Sequence, residues 1–299
     1  MINLVISYKD WTSFHASHIK EIVEKFFNIV YIEDNPVIHQ SNTLLFASLT
    51  EDKWYTELHQ QGYKVVIDLM WGGTAYELDN SYMLNSTNWF WIHDALFYKF
   101  MKYDQYVPDR TYAKLAFMPM GNTRIHRDQL FDKVQHQLDD FIWSYVEREG
   151  KRLPDDDKLE NKLAHYFNPE WYDNTYFSLV TETTSENGIV LSEKSFKPLA
   201  FQHPFLIVGH TNLLSQLHLL GFETFENLFD ESYDSKIDLT NRIDKIVDNV
   251  NAFSRVQYDQ LTNEKIKHNY NLFYDTDLVI DKFMQDVINP LLEVGTSLH

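Results

Sequence analysis

Two serines, two lysines and a glutamate fall together in Ser192-Glu193-Lys194-Ser195-Phe196-Lys197. The apolar run before them, residues 176–181, reads as a buried strand that delivers Glu182 to its carboxyl end. After a short loop, a helix is predicted to begin at Ser192. The first turn of a helix offers unpaired N–H groups and the positive end of the dipole, which together favour phosphate. Lys194 adds a point charge, Lys197 stands one turn on, and Glu193 can accept hydrogen bonds from ribose hydroxyls. On spacing alone the same residues also fit a capped surface helix with an ordinary Glu/Lys mix.

The elements that would position this segment alternate. Residues 3–7, 28–32, 43–47, 63–70 and 88–92 are predicted strands, with helices expected over 18–27 and 51–61. Continuous apolar strands separated by helices imply a parallel sheet covered on both faces. A second unit starts near Lys114: a strand over 115–120, the turn Gly121-Asn122-Thr123, and a helix over about 126–138. It continues with the strand ending at Glu182, the helix over 192–201, a short strand over 204–208, a helix over 211–220 closed by Gly221, and a helical stretch from about 239. The expected class is α/β, with two Rossmann-like domains facing across a cleft. The domains divide at 1–112 and 113–299, the last helices packing back on the first. Nucleotide ligands of such sheets sit at the carboxyl ends of the strands.

The segment from Phe177 to Gly209 resembles the donor-binding region of GT-B glycosyltransferases, closest to the α-fucosyltransferase-like group, in which a strand ending in Glu is followed by a Thr/Ser-Glu-Lys helix start. Asn122-Thr123-Arg124-Ile125-His126-Arg127 is similar to the Arg-containing turn after the first strand of the second domain in that group. The stretches at 220–225 and 230–234 also resemble phage and bacterial glycosyltransferase-like proteins. The resemblance covers about residues 114–245. It implies a nucleotide-diphosphate-sugar donor held by Arg124, Arg127, Glu182, Ser192, Glu193, Lys194 and Lys197. It also implies a hydroxyl acceptor, either a glycan or a hydroxymethylated base of phage DNA. Pro198 and His203-Pro204-Phe205 depart from the group, so neither the donor base nor the sugar is named by it.

In such a transfer, the acceptor hydroxyl needs a base on the first domain while the diphosphate leaves against Arg, Lys and backbone donors. Two places qualify: Asp68, which ends a strand before Trp71-Gly72-Gly73, and His93-Asp94, which follow the strand predicted over 88–92. Each also fits a cap or a strand-end hydrogen bond. No cofactor and no metal are expected. Asp275-Thr276-Asp277 has the letters of a metal-holding pair but precedes a helical apolar pattern, which favours capping; His15 and His18 lack a third ligand.

The chain has 299 residues, 44% hydrophobic and 15% aromatic, with no cysteine. It is therefore expected to be globular, without disulfides or a thiolate nucleophile. The net charge of −18 is spread over both halves and opposes an extended nucleic-acid footprint. A small anion held by clustered cations remains compatible with it. No apolar run is long enough to cross a bilayer, and the N-terminus lacks the pattern of a signal peptide. A cytoplasmic protein of a bacterial or phage-infected cell is the expectation, with no membrane insertion.

Overall fold

A computed structural model describes residues 1–7, 17–48, 54–68, 82–84, 89–153, 168–186 and 188–297. In chain order the first elements are β1 (Ile2–Ile6), α1 (Ser17–Val23), β2 (Phe27–Tyr31), β3 (Thr43–Ser48), α2 (Thr56–Gln60), β4 (Lys64–Asp68), β5 (Tyr82–Leu84) and α3 (Trp89–Phe100). They are followed by β6 (Lys114–Met120), α4 (Ile125–Val134), β7 (Phe141–Tyr145), α5 (Val146–Glu149), α6 (Pro169–Asp173), β8 (Thr175–Thr181) and α7 (Glu193–Ala200). The remainder is β9 (Phe205–Val208), α8 (Leu213–Leu219), α9 (Leu239–Ala252), α10 (Gln260–Phe273), α11 (Thr276–Phe283) and α12 (Asn289–Thr296). Among the described residues no helix is long and apolar enough to cross a membrane.

The fold is α/β, with two parallel-sheet, Rossmann-like units. The first comprises Met1–Phe100 together with Thr276–His299, and the second Met101–Asp275. In the first, five strands run parallel in the order β2-β1-β3-β4-β5. Leu4, Val5, Leu44, Leu45, Val65 and Ile67 are wholly buried, as side chains of strands covered on both faces must be. The closing helices α11 and α12 belong to this unit: Phe283 of α11 lies against Trp89 of α3 at 6.0 Å between ring centroids.

One predicted element changes type. Residues 88–92 read as a strand, yet Trp89 opens the twelve-residue helix α3. An apolar run of four carries no periodicity that separates a core strand from a buried helix start. Residues 89–95 of α3 are all buried, as is Tyr98. The aromatics therefore pack around a helix rather than on a pleat. Two further strands, β5 and β7, were not predicted.

The second unit orders its strands β7-β6-β8-β9, all parallel. From β6 the chain passes to one neighbour, β7, and then returns to the other side of β6 as β8. The order reverses at the β6/β8 boundary, and the crevice at such a boundary is where open parallel sheets take ligands. All seven residues of β8 are buried.

Candidate functional site

Strand β8 ends at Thr181, and the next residue, Glu182, has a wholly buried side chain. The carboxylate is turned toward the start of α7. Its Oε1 accepts from the Ser192 N–H at 3.0 Å and from the Ser195 hydroxyl. Its Oε2 accepts from the Ser192 hydroxyl at 2.5 Å and the Thr183 N–H at 3.0 Å. A buried carboxylate must be hydrogen-bonded to be tolerated, and here four donors from strand end and helix start do that. Ser192 caps α7, its hydroxyl accepting from the Lys194 N–H at 3.4 Å. The side chain of Lys194 then folds back, 2.5 Å from Glu193 and 3.2 Å from the Thr183 hydroxyl. Phe196 anchors the helix from its other side against Phe222 and Phe273.

The turn after β6 meets the same strand end. Arg127 is buried. Its guanidinium donates to the carbonyls of Asn122 at 2.9 Å, Glu182 at 2.9 Å and Thr181 at 3.3 Å. Burial pulls its pKa below the ordinary arginine value, opposed by the nearby charge of Glu182. His126 donates from Nε2 to the Glu182 carbonyl at 2.8 Å, and burial lowers its pKa to about 4. Arg124 is exposed beside them at the start of α4, with Nη1 on the Thr123 carbonyl at 3.0 Å. The turn is braced from β7's side by Glu147, which accepts from the Thr123 N–H at 2.5 Å.

A cavity of about 190 Å³ opens at the β6/β8 boundary. Phe117 and Pro119 of β6 with Ser178 and Val180 of β8 line it from the sheet. Trp171 and Tyr172 of α6, Ser144 of β7 and Val146 of α5 line it as well, with Glu193, Lys194, Lys197 and Pro198 of α7. An apolar pocket carrying two ammonium groups and a carboxylate suits a flat organic body with an anionic extension. Thus Glu193, Lys194 and Lys197 reach the cavity. Glu182, Ser192 and Arg127 lie beside it, locking strand to helix to turn.

Sequence reasoning passed over Trp171, Tyr172 and Ser178. The first two were signalled by Asn168-Pro169, an Asn cap followed by Pro at the first helical position, where the Asn168 side chain accepts from the Glu170 N–H at 3.0 Å. Ser178 was signalled only as a hydroxyl inside an apolar strand.

The candidate bases belong to the first unit. Asp68 closes β4, with its side chain outside the described residues, as are Trp71-Gly72-Gly73 and His15. His93 and Asp94 do not follow a strand: they lie inside α3, buried, with His93 Nδ1 3.0 Å from Asp94 Oδ1. Asp277 falls in the first turn of α11.

Comparison of the sequence with family models and with curated proteins finds no match. Among solved structures, the chain is similar to a DNA-modifying β-glucosyltransferase determined in the presence and absence of its substrate uridine diphosphoglucose. The TM-score is 0.51 at 9% identity, over 96% of this chain and 99% of that one. The chain shares its fold with the GT-B glycosyltransferases. An α1,3-fucosyltransferase also matches, at TM-score 0.46 and 13% identity over 93% and 91% of the two chains. An α1,3-fucosyltransferase with GDP gives 0.42 and 12% over 92% and 91%. Within the GT-B-like fold, the cavity lies in the second unit.

Proposed function

We propose that the chain is a metal-independent glycosyltransferase that moves a sugar from a nucleotide-diphosphate donor to a hydroxyl, on a glycan or on a hydroxymethylated base of phage DNA. The observation that carries this reading is the cavity at the β6/β8 boundary with Lys194 and Lys197 on it. The nucleotide enters that cavity, and its diphosphate is held by the two lysines and Arg124; the N–H groups of Ser192 and Lys194 at the α7 start are already taken by Glu182 and the Ser192 hydroxyl. Arg127, Glu182 and Ser192 keep those groups in place, and Glu193 takes the ribose hydroxyls. In the transfer, the bond from the sugar's anomeric carbon to the diphosphate oxygen breaks, and its electron pair leaves with the nucleoside diphosphate. The acceptor oxygen forms the new bond and its proton passes to a base of the first unit, Asp68 or the His93–Asp94 pair. The DNA-modifying relative in fold uses uridine diphosphoglucose, which makes UDP-glucose the first donor to try.

A second reading is a nucleotide-binding protein without catalysis. It is favoured by the burial of His93 and Asp94 within α3, which removes one of the two candidate bases from ready contact with an acceptor.

Calorimetric titration with UDP, GDP and their sugars tests binding. Hydrolysis or transfer of the bound donor, with Lys194→Ala and Asp68→Ala for comparison, separates enzyme from binder. Binding with tight dependence on Lys194 and turnover lost in Asp68→Ala is the expected result; no binding by any nucleotide sinks the assignment.

A further inference from the structure

His203, buried in the second unit, meets Ser178, a residue of the cavity wall. Its Nε2 is 2.9 Å from the Thr175 carbonyl oxygen, an atom that can only accept. Nε2 therefore carries a proton. Burial, together with the Arg110 charge, holds the imidazole pKa far below the ordinary histidine value. Arg110 itself is occupied on the carbonyls of Phe201 and Gln202, at 3.2 Å and 2.5 Å. A neutral imidazole protonated on Nε2 has a bare Nδ1. The Ser178 hydroxyl lies 2.8 Å from that Nδ1 and must donate its single proton there.

The tautomer thus settles what Ser178 shows to the cavity it lines. Its oxygen keeps two lone pairs, and no other partner meets it among the described residues. Phe117, its register neighbour on β6, lines the cavity with Trp171, Tyr172 and Pro198, while the charged groups of the lining, Glu193, Lys194 and Lys197, all belong to α7. A sugar against the aromatic wall would have several hydroxyls to satisfy there, each costly if left unpaired. A flat heterocycle needs few polar contacts and covers the aromatic wall.

We propose, on the reading that this cavity takes a nucleoside diphosphate, that Ser178 is a specificity-determining residue whose hydroxyl oxygen accepts a hydrogen bond from a ring or exocyclic N–H of the nucleobase. His203 acts behind it as a positioning residue, fixing the hydroxyl as an acceptor. The base is bound in the orientation that turns a donor toward β8, and a base edge offering only acceptors is rejected.

The test is calorimetric titration of the full chain with UDP, GDP, ADP and CDP. The tightest of these is then compared with analogues in which its N–H groups are replaced by N-methyl: N3-methyl-UDP, N1-methyl-GDP and N2,N2-dimethyl-GDP, N6,N6-dimethyl-ADP or N4,N4-dimethyl-CDP. The wild-type chain is expected to bind a methylated analogue about tenfold or more weaker. Ser178→Ala should bind the parent about tenfold weaker and no longer tell the two apart, while Ser178→Thr, which keeps the hydroxyl, retains the preference. A folded Ser178→Ala chain that binds and discriminates like the wild type overturns the inference and leaves the nucleotide site standing. Failure of all four nucleotides to bind the wild type overturns both.

Discussion

The carboxylate of Glu182 accepts the backbone N–H of Ser192 at 3.0 Å across ten residues of chain, so the end of one strand holds the beginning of the next helix. Substituting Glu182→Ala leaves buried donors of Ser192 and Ser195, and the half-buried Thr183 N–H, without their acceptor. The expected loss is about 3 kcal/mol in urea unfolding, with nucleotide affinity lost alongside. Glu182→Gln, which keeps one good acceptor, should fall between the two. Equal stability for Glu182→Ala and wild type would show that the carboxylate is not the lock.

Lys194 is only partly buried and belongs to the cavity rather than the core. Lys194→Ala is expected to weaken binding of the best nucleoside diphosphate by about tenfold, leaving the melting temperature close to wild type. The corresponding nucleoside, which has no phosphate, should bind both chains alike. That contrast assigns the effect to charge.

Gly209 follows β9, where its carbonyl accepts from Arg242. A β-carbon there would lie 2.6 Å from Leu213 Cδ1 and 3.2 Å from Glu182 Cβ. Leu213 can swing aside, but Glu182 is held by four hydrogen bonds. Gly209→Ala is therefore expected to cost about 1–3 kcal/mol and to reduce nucleotide affinity through Glu182. Chemical unfolding and titration read the two effects separately.

Two titratable groups of the second unit give stability opposite pH dependences. His126 has a pKa of about 4 when folded, against 6.5 ordinarily. Its contribution is complete above about pH 6.5 and is lost as pH falls toward 4. Glu231 is pushed up to about 7 by burial, while it accepts from the Thr224 hydroxyl and the Phe225 N–H, each at 2.7 Å. Its contribution is complete below about pH 4.5 and is lost as pH rises toward 7. Urea unfolding of wild type, His126→Asn and Glu231→Gln across pH 4.5–7.5 separates them. The stability gap to His126→Asn should narrow toward acid, that to Glu231→Gln toward neutral pH, each by on the order of 3 kcal/mol at most. Gaps that do not move with pH would place both groups in ordinary ionisation.

Much of the second unit was legible because its signals are local. β8 is an unbroken apolar run, Ser192 is a good cap, and Gly221, with φ of +92°, closes α8 as its residue type suggests. α3 was misread because Trp89-Phe90-Trp91-Ile92 has neither period. The role of Arg127 was illegible for another reason: the carbonyls it binds at Thr181 and Glu182 lie 54 and 55 residues along the chain. A cationic side chain at the start of a helix predicts an anion partner, and only tertiary structure reveals that backbone oxygens occupy it. The same holds for Ser178, whose acceptor character follows from an imidazole 25 residues later.

The strand end and the helix start are fastened to each other by side chains, which frees the peptide between Thr183 and Leu191 from having to place α7. Anchoring and connectivity are separate jobs here. Extra residues inserted in that stretch would add only a slowly growing closure entropy while Lys194 stayed where it is. The length and composition of this one crossing can thus vary without touching the groups that hold α7 in place.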